Sequence, residues 1–367
     1  MTGSLRIGIR VDGDSAIGLG HLVRSLALAE ALTSLGAKAT LFSRPSPVVA
    51  TKAWEAGVSV LFSRAQNEDA FLRDCLVRWH ADGVVLDTKA PYGGDEIRAL
   101  NGRTCVVVMD NACEGMFEAS LTIFPVAHLD EAVAAHPRWG MGGILLKGQD
   151  YVVVADHIRA LGRAEARERR SAGQGLLITM GGADPAGMTE RLLTWLAPLP
   201  LECRLVVLVG EAFARKESLR ILAGDLGRPV TLLQGSSALG SIKSEIALAL
   251  CAFGVSAYEM ACLGIPTLLV SHTEGHARDA ARFAQLGSAL DLGWIERVDG
   301  RRLAETVSRV LGDADLRARL GRAGRALVDG NGVTRVAQAI VRAVEQWEPR
   351  SAAKEACCVG SSRPYAR

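Results

Sequence analysis

The sequence predicts an α/β protein built from two doubly wound, Rossmann-like domains that face each other across a cleft. Short apolar, β-branched runs alternate with longer helical patterns along the chain, which is typical of parallel sheets covered by helices. The alternation is interrupted once, between about residues 151 and 173, and a glycine-rich turn follows a strand in each half. A chain of 367 residues is long enough for two such domains.

Nine apolar segments have the length and composition of buried strands. They are residues 5–11, 37–42, 83–86, 104–109, 175–180, 204–209, 230–233, 246–250 and 267–270. Because these runs are apolar throughout rather than alternating, both faces of each sheet are expected to be covered. Ligands of such sheets bind beyond the carboxyl ends of the strands, so two facing sheets predict a binding cleft between the domains.

The interruption defines the expected domain boundaries. An Arg-rich helical pattern at residues 157–170 and a small, polar segment at 171–175 predict a linker, which gives a first domain at 1–165 and a second at 172–347. Helical patterns at 301–311, 315–327 and 333–347 complete the second domain. The polar segment 348–367, which contains Cys357 and Cys358, is predicted to be a disordered tail.

Composition excludes several classes of protein. Lys and Arg number 42 against 40 Asp and Glu, so the net charge of +2 lacks the basic excess of a nucleic-acid-binding protein. No apolar run approaches the ~20 residues that span a membrane, and the first residues lack the features of a signal peptide, so a cytoplasmic location is expected. The cysteines before the tail are then expected to be reduced and buried, and the oligomeric state stays open.

The most informative segment is residues 10–24. A strand leads into a glycine loop, and a helix begins near His21, followed by leucine and alanine at helical spacing. The glycines permit close approach of a ligand, and the helix N-terminus offers free N–H groups to an anion. The positive end of the helix dipole favours a neutral imidazole, which can act as a general base. The candidate residues are Arg10, Asp12, Gly18, Gly20, His21 and Arg24.

Ordinary structural roles compete with this interpretation. A Gly-x-Gly sequence after a strand is common, and a histidine at the start of a helix is also typical of a cap or a surface residue. The dinucleotide-binding motif would need a third glycine where Val23 stands, so that motif is absent. The combination of the six candidates in one segment favours a functional site.

A second segment, residues 251–266, has a buried strand, a Gly-x-Ser loop and a short helix. The loop N–H groups and the Ser256 hydroxyl suit a diphosphate, and Glu259 suits the two hydroxyls of a ribose because a carboxylate accepts both hydrogen bonds. An ordinary strand–helix turn with an N-terminal glutamate has the same pattern. A similar glycine loop follows the first strand of the second half. The candidate nucleotide-binding residues are Gly181, Gly182, Asp184, Gly254, Ser256 and Glu259.

Together these segments resemble a known family. The Arg-x-Asp and Gly-x-Gly-His-x-x-Arg elements of residues 10–24 are similar to the N-terminal signature of the UDP-sugar hydrolases of the pseudaminic-acid pathway and of the related spore-coat polysaccharide biosynthesis proteins. Gly148 and Tyr151, the loop at Gly181, and the segments 254–266 and 329–335 match in the same order, so the resemblance spans about residues 6–344. The 254–266 motif is shared with many GT-B glycosyltransferases.

The resemblance implies a GT-B fold and the hydrolysis of UDP-2,4-diacetamido-2,4,6-trideoxy-β-L-altropyranose to UDP and the free sugar, for pseudaminic-acid-like surface or flagellar glycans. It implies that His21 activates water for inverting attack at the anomeric carbon, that the second domain binds UDP, and that neither a metal nor an organic cofactor takes part. Where the family often has Asp-His-Tyr, this sequence has Asp87, Thr88 and Lys89, so Asp87 and Lys89 become candidate substrate contacts. Gly275 and His276 replace a common Asn-Gln pair.

Three functions therefore stay open. A UDP-sugar hydrolase is the first, and the alternative is a GT-B glycosyltransferase with a nucleotide-sugar donor, in which His21 deprotonates an acceptor hydroxyl instead of water. The third is a non-catalytic nucleotide-sugar-binding protein, which predicts that mutating His21 leaves the biological role intact. In each case the expected partner is a small nucleotide sugar, without nucleic acid and without a membrane span.

Overall fold

The computed structural model describes residues 3–14, 19–125, 131–139, 143–165, 174–200, 202–210 and 213–349. Within these residues the chain forms two parallel sheets, one of seven strands and one of six, and each is covered by helices. The predicted architecture of two doubly wound α/β domains is confirmed.

The first sheet has the strand order β3-β2-β1-β4-β5-β6-β7, so the chain reverses its winding direction at β1. Its centre pairs Ile7 of β1 with Ala39 of β2 on one side and Gly83 of β4 on the other. The elements are β1 (Arg6–Arg10), α1 (Gly20–Ser34), β2 (Lys38–Ser43), α2 (Pro47–Glu55), β3 (Ser59–Phe62), α3 (Glu68–Trp79), β4 (Gly83–Leu86), α4 (Gly94–Asn101), β5 (Cys105–Met109), β6 (Leu121–Phe124), α5 (Glu131–Ala134) and β7 (Ile144–Lys147).

The second sheet has the strand order β10-β9-β8-β11-β12-β13 and reverses its winding direction at β8. The elements are α6 (Asp156–Glu165), β8 (Gly175–Thr179), α7 (Met188–Leu196), β9 (Arg204–Val209), α8 (Lys216–Asp225), β10 (Val230–Gln234), α9 (Leu239–Ile242), β11 (Ile246–Cys251), α10 (Val255–Leu263), β12 (Thr267–Ser271), α11 (Glu274–Gln285), β13 (Ala289–Trp294), α12 (Gly300–Gly312), α13 (Ala314–Leu327) and α14 (Gly332–Glu345).

The nine predicted strands are all present, and four strands were missed. The nine include the fully buried apolar runs, such as β5, whose residues are all inaccessible because helices cover both faces of the sheet. The missed strands are the half-exposed edge strands β3 and β7, the four-residue β6, and β13, which carries an aspartate and a glycine. Edge strands pack on fewer neighbours, so their sequences carry a weaker apolar signal.

The chain crosses between the two domains twice, and both crossings differ from the expected division at 165–172. Helix α6 packs on α10 of the second domain, where Ile158 is fully buried. Helix α14 returns to the first domain and packs on α1 with an apolar stripe that includes Val336 and Ile340. The crossings touch, because a Cβ on Gly332 would lie 2.0 Å from the Val152 carbonyl oxygen.

Three further expectations concern the cysteines, the membrane and the tail. The six cysteines before the tail are free and buried, as predicted. No helix among the described residues is long and apolar enough to cross a membrane. The predicted tail at 348–367, with Cys357 and Cys358, lies outside the described residues except for its first two.

Candidate active site between the two domains

The carboxyl ends of the two sheets enclose a cleft to which both domains contribute. Its larger cavity, of ≈ 700 Å³, lies between the start of α1 and the loops that follow β8 and β11. A second cavity of ≈ 210 Å³ shares Gly20 and the same two loops. The predicted residues that line the larger cavity are Gly20, Gly181, Gly182, Ser256 and Glu259. The cleft thus brings together candidates that are more than 200 residues apart in sequence, as the facing sheets predict.

Two helix N-termini meet in this cleft. Helix α1 begins at Gly20 and α10 begins at Val255, and among the described residues no side chain caps the first N–H groups of either helix. A Cβ on Gly20 would lie 3.4 Å from Cγ2 of Val255, so the two ends are close neighbours. Gly254 precedes α10 with a φ of 148°, which only glycine adopts readily. Uncapped N–H groups and the positive helix ends make this part of the cleft a favourable place for an anion.

Asp184 shapes the loop after β8 rather than offering a free carboxylate. Its two oxygens accept hydrogen bonds from the backbone N–H groups of Met188 (3.0 Å) and Thr189 (2.8 Å), which start helix α7. Arg215 donates to its carbonyl oxygen at 2.8 Å. Since the side chain is buried and already bonded, its contribution is to hold the Gly181–Gly182 turn in place.

Glu259 has a buried carboxyl group on the cleft side of α10. It lines the larger cavity, and no described residue donates a hydrogen bond to it. Burial raises its pKa from 4.5 to about 7. A carboxylate that lacks donors within the protein is suited to accept them from a ligand, such as the hydroxyls of a ribose.

The raised pKa gives a test that needs no ligand. When a carboxyl group has a higher pKa in the folded state than in the unfolded state, the folded protein becomes less stable as the pH rises from the unfolded pKa to the folded pKa. For Glu259 this range is from 4.5 to about 7. Glu259→Gln is therefore expected to raise the free energy of unfolding by about 2–3 kcal/mol at pH 8, and by little at pH 4.5. Urea unfolding of both proteins at the two pH values measures this. A difference that is the same at both pH values would contradict the burial of an ionisable Glu259.

His21 belongs to a buried charge cluster at the carboxyl ends of β4 and β5. Its Nδ1 lies 2.7 Å from Oδ1 of Asp87 and 2.8 Å from Nη2 of Arg24. Arg24 donates to Asp87 through Nε at 2.9 Å and to Asp110 through Nη1 at 2.8 Å. The Ser25 hydroxyl donates to the second Asp87 oxygen at 2.8 Å. The cluster forms because α1 presents His21, Arg24 and Ser25 on one face, at helical spacing.

The charges in this cluster are fixed by their pairing. Burial alone would raise the pKa of Asp87, but the adjacent Arg24 guanidinium holds that pKa well below its ordinary range. The pKa of Asp110 is lowered in the same way, because the positive charges of Arg24 and then Lys89 outweigh the effect of burial. Burial lowers the pKa of Arg24, but the carboxylates of Asp87 and Asp110 raise it by more, so the net shift is upward. Asp87 is thus ionised and beside the His21 ring at neutral pH.

The environment of the His21 ring permits two tautomers. With the hydrogen on Nδ1, the ring donates to Asp87 and leaves Nε2 as a base; with the hydrogen on Nε2, Nδ1 accepts from Arg24. The side chain is 27% exposed, and it follows Gly20, which lines both cavities. His21 therefore has access to solvent next to Gly20 but lines neither cavity, while its partner Asp87 has no access to solvent.

Three predicted substrate contacts have other surroundings in the described part of the structure. Asp87 is fully buried and bonded to His21, Arg24 and Ser25, so it orients these side chains rather than contacting a ligand. Arg24 is buried with it. Lys89 is 62% exposed and pairs with Asp110 at 3.2 Å. Gly18 lies outside the described residues.

Arg10 and Asp12 form a second buried ion cluster, away from the cavity lining. The Arg10 guanidinium is 1% exposed, lies 4.1 Å from the centre of the Phe71 ring, and donates to Glu68 and Asp12 at 2.6 Å each. Arg44 donates to both carboxylates from the other side. Because every charge in the cluster has a partner, a structural role explains Arg10, which corrects its assignment as a substrate contact.

Sequence reasoning did not identify two residues that these clusters require, nor a third residue that lines the smaller cavity. Glu68 begins α3, and Asp110 follows β5; both lie far from residues 10–24 in sequence, and only the sheet order brings them together. Asp110 has a φ of 52°, an uncommon value for a residue other than glycine, which is the one local sign that it occupies a special position. His272 lines the smaller cavity and belongs to no motif.

Comparisons with solved structures identify the fold. MurG of Acinetobacter baumannii is 15% identical with a TM-score of 0.61, and the alignment covers 93% of this chain and 100% of the MurG chain. The spinosyn rhamnosyltransferase SpnG complexed with thymidine diphosphate is 16% identical with a TM-score of 0.62 over the same shares. The UDP complex of S. aureus MnaA is 12% identical with a TM-score of 0.64 and covers 95% of this chain and 100% of its own. The chain has the GT-B fold.

Sequence comparisons give a narrower likeness. Over 204 residues the chain is 29% identical to the spore coat polysaccharide biosynthesis protein SpsG of Bacillus subtilis, a match that covers 55% of this chain and 59% of SpsG. An uncharacterized protein of Methanocaldococcus jannaschii is 21% identical over 285 residues, which cover 74% of this chain and 56% of that protein. The chain thus spans a little over half the length of these relatives. No family model matches it.

Proposed function

We propose that this chain is a glycosyltransferase that uses a nucleoside-diphosphate sugar as its donor and acts in polysaccharide biosynthesis. The observation that carries the proposal is the cleft, where two uncapped helix N-termini meet and the buried carboxyl group of Glu259 has no partner among the described residues. The N-termini match a diphosphate, and the carboxyl group matches a ribose. The likeness to SpsG supports the pathway, and the thymidine diphosphate and UDP complexes of GT-B relatives support the class of ligand.

The donor would lie along the loops of the second domain. The diphosphate would accept hydrogen bonds from backbone N–H groups at Gly182, Gly254 and Ser256, and the ribose hydroxyls would donate to Glu259. The sugar would then point across the cleft toward the start of α1. In this arrangement the anomeric carbon would lie near the start of α1, which carries His21.

His21 is the proposed base. The tautomer with hydrogen on Nδ1 donates to Asp87 and leaves Nε2 free to accept a proton. An acceptor hydroxyl attacks the anomeric carbon and gives its proton to His21, while the bond from that carbon to the β-phosphate oxygen breaks and its electron pair leaves with the nucleoside diphosphate. A single displacement of this kind inverts the anomeric configuration.

Hydrolysis, which the sequence resemblance implies first, differs from this reaction only in the acceptor, because water replaces the hydroxyl of a sugar or other molecule. Several solved structures with the same fold are transferases, among them the rhamnosyltransferase SpnG and the forosaminyltransferase SpnP. We therefore place transfer before hydrolysis. The diacetamido-trideoxy sugar stays a prediction that rests on the resemblance.

The test is a donor panel assayed with and without acceptors. UDP- and TDP-linked acetamido and deoxy sugars, labelled in the sugar, are incubated with the purified protein, and free nucleotide and labelled products are measured. Nucleotide release that requires a glycan acceptor, with label in the acceptor, is the expected result. Release of nucleotide and free sugar without an acceptor would replace transfer by hydrolysis. Absence of both binding and turnover with every donor would overturn the nucleotide-sugar proposal.

A further inference from the structure

His272 is a histidine in the cleft whose ring nitrogens have no hydrogen-bond partner among the described residues. It follows β12 directly and lines the ≈ 210 Å³ cavity together with Gly20, Gly182, Gly254 and Ser256. The cavity is therefore bounded by the N-termini of α1 and α10 and by an imidazole. A polar ring that faces two anion-binding helix ends is suited to donate a hydrogen bond to an anion bound there.

The surroundings of His272 hold its ring in place. Trp294 donates through Nε1 to the His272 carbonyl oxygen at 3.2 Å, which fixes the backbone at the end of β12. The ring packs on that of His276, with centroids 4.3 Å apart. His276 is positioned in turn by Thr273, whose hydroxyl lies 3.0 Å from Nδ1 and also caps the start of α11. The imidazole is thus oriented before any ligand binds, which lowers the entropic cost of binding.

Sheet order places this ring beside the diphosphate loops. Strands β8, β11 and β12 are adjacent, and their carboxyl ends carry Gly182, Gly254 and His272 in turn. Glu259, the proposed ribose ligand, lies in the larger cavity and not among the residues that line the smaller one. The smaller cavity therefore corresponds to the end of the nucleotide that is farther from the ribose.

Resting on the proposed function, we infer that His272 donates a hydrogen bond to the β-phosphate of the nucleotide and supports its departure as the bond to the anomeric carbon breaks. The electron pair of that bond passes to the β-phosphate oxygen, and the His272 proton stays on the ring as the donor. Burial and then His276 lower the pKa of His272, while Asp184 opposes this. A neutral imidazole still carries one N–H, so the inferred hydrogen bond needs no positive charge.

The experiment compares UDP with UMP, which lacks the β-phosphate. His272→Phe keeps a ring to pack on His276 but has no donor, so it is expected to weaken UDP binding by about ten- to a hundredfold and UMP binding by less than about twofold, in calorimetric titrations. His272→Gln, which restores an N–H donor, is expected to recover most of the UDP affinity. Glu259→Gln is the matched control, because loss of a ribose contact weakens both nucleotides equally.

The outcomes separate this inference from the proposed function. Equal weakening of UDP and UMP by His272→Phe, or no weakening of either, overturns the role of His272 while leaving the nucleotide site in place. Failure of the unmodified protein to bind UDP, UMP and their thymidine counterparts overturns the proposed function itself. If His272→Phe lowers the thermal unfolding midpoint, His272→Gln supplies the decisive result. UDP affinity close to that of the unmodified protein supports the hydrogen bond, and a loss as large as that in His272→Phe overturns it.

Discussion

Replacing His21 with alanine is expected to lower kcat about 10²- to 10⁴-fold while the Kd for UDP changes by less than about twofold. The base lies at the start of α1 in the first domain, whereas the proposed nucleotide contacts lie on loops of the second domain. Removal of the imidazole therefore takes away the proton acceptor and leaves the nucleotide contacts intact. Steady-state kinetics and UDP titration on one preparation measure both quantities.

His80→Asn is the matched control for that experiment. His80 is an exposed histidine at the end of α3 with a φ of 51°, a conformation that asparagine tolerates. This variant is expected to keep both kcat and UDP affinity. A His21→Ala protein that turns over at the unmodified rate would exclude His21 as the base, and one that fails to bind UDP would mean that the first domain holds the nucleotide.

Asp87→Asn is expected to lower both the stability and the activity of the protein. Asp87 has no solvent exposure, pairs with Arg24 and His21, and has a pKa far below its ordinary value. Loss of one partner of a buried ion pair costs about 3–5 kcal/mol, so the unfolding free energy at pH 7 is expected to fall by that amount. An asparagine amide also no longer holds the His21 tautomer that has its hydrogen on Nδ1. Because that tautomer leaves Nε2 free as the base, kcat is expected to fall about 10³- to 10⁴-fold.

The stability loss has a defined pH dependence. A carboxyl group with a lowered pKa in the folded state contributes stability above its unfolded pKa of 3.8, and that contribution is lost as the pH falls through the folded value. The difference between the unmodified protein and Asp87→Asn should therefore be constant near neutral pH and shrink below about pH 3.8. Urea unfolding across this range measures the effect.

Asp110→Asn is the control that separates the two roles of Asp87. Asp110 pairs with Arg24 at 2.8 Å, as Asp87 does, and the His21 ring contacts Asp87 rather than Asp110. Its removal is expected to reduce stability but to leave kcat within about tenfold of the unmodified value. Equal kcat losses in the two variants would show that the charge on Arg24, and not the orientation of His21, sets the activity.

Much of the fold was predictable because burial leaves a strong record in sequence. The nine predicted strands carry long apolar runs, and the helix boundaries at 301–311 and 315–327 lie within α12 and α13. The path of α14 was not predictable in the same way. Its apolar stripe indicates that one face is buried, but nothing in that stripe states which of two similar domains receives it.

Site residues that belong to a single loop could be predicted from the sequence. Site residues that come together only through the packing of distant elements could not. Gly182 lies in the loop after β8, and Ser256 and Glu259 lie near the start of α10, which follows β11. Their place in the cleft therefore follows from parallel topology. The environment of Asp87 was misjudged because its position after β4 gives the same sequence signal as an exposed strand end, while α1 covers it with Arg24 and Ser25. Contacts of this kind depend on the packing angle of a helix, which local sequence does not encode.

The central claim is that the cleft between the domains is the nucleotide site, and amide hydrogen exchange with and without UDP tests it most directly. Bound UDP is expected to slow exchange at the loops of Gly182 and of Gly254–Ser256, and at the start of α1 in the first domain, because their N–H groups lie at the cavity. Protection confined to other surfaces, such as the outer helices α12 and α13, would contradict it, as would UDP binding that leaves all of these loops unchanged.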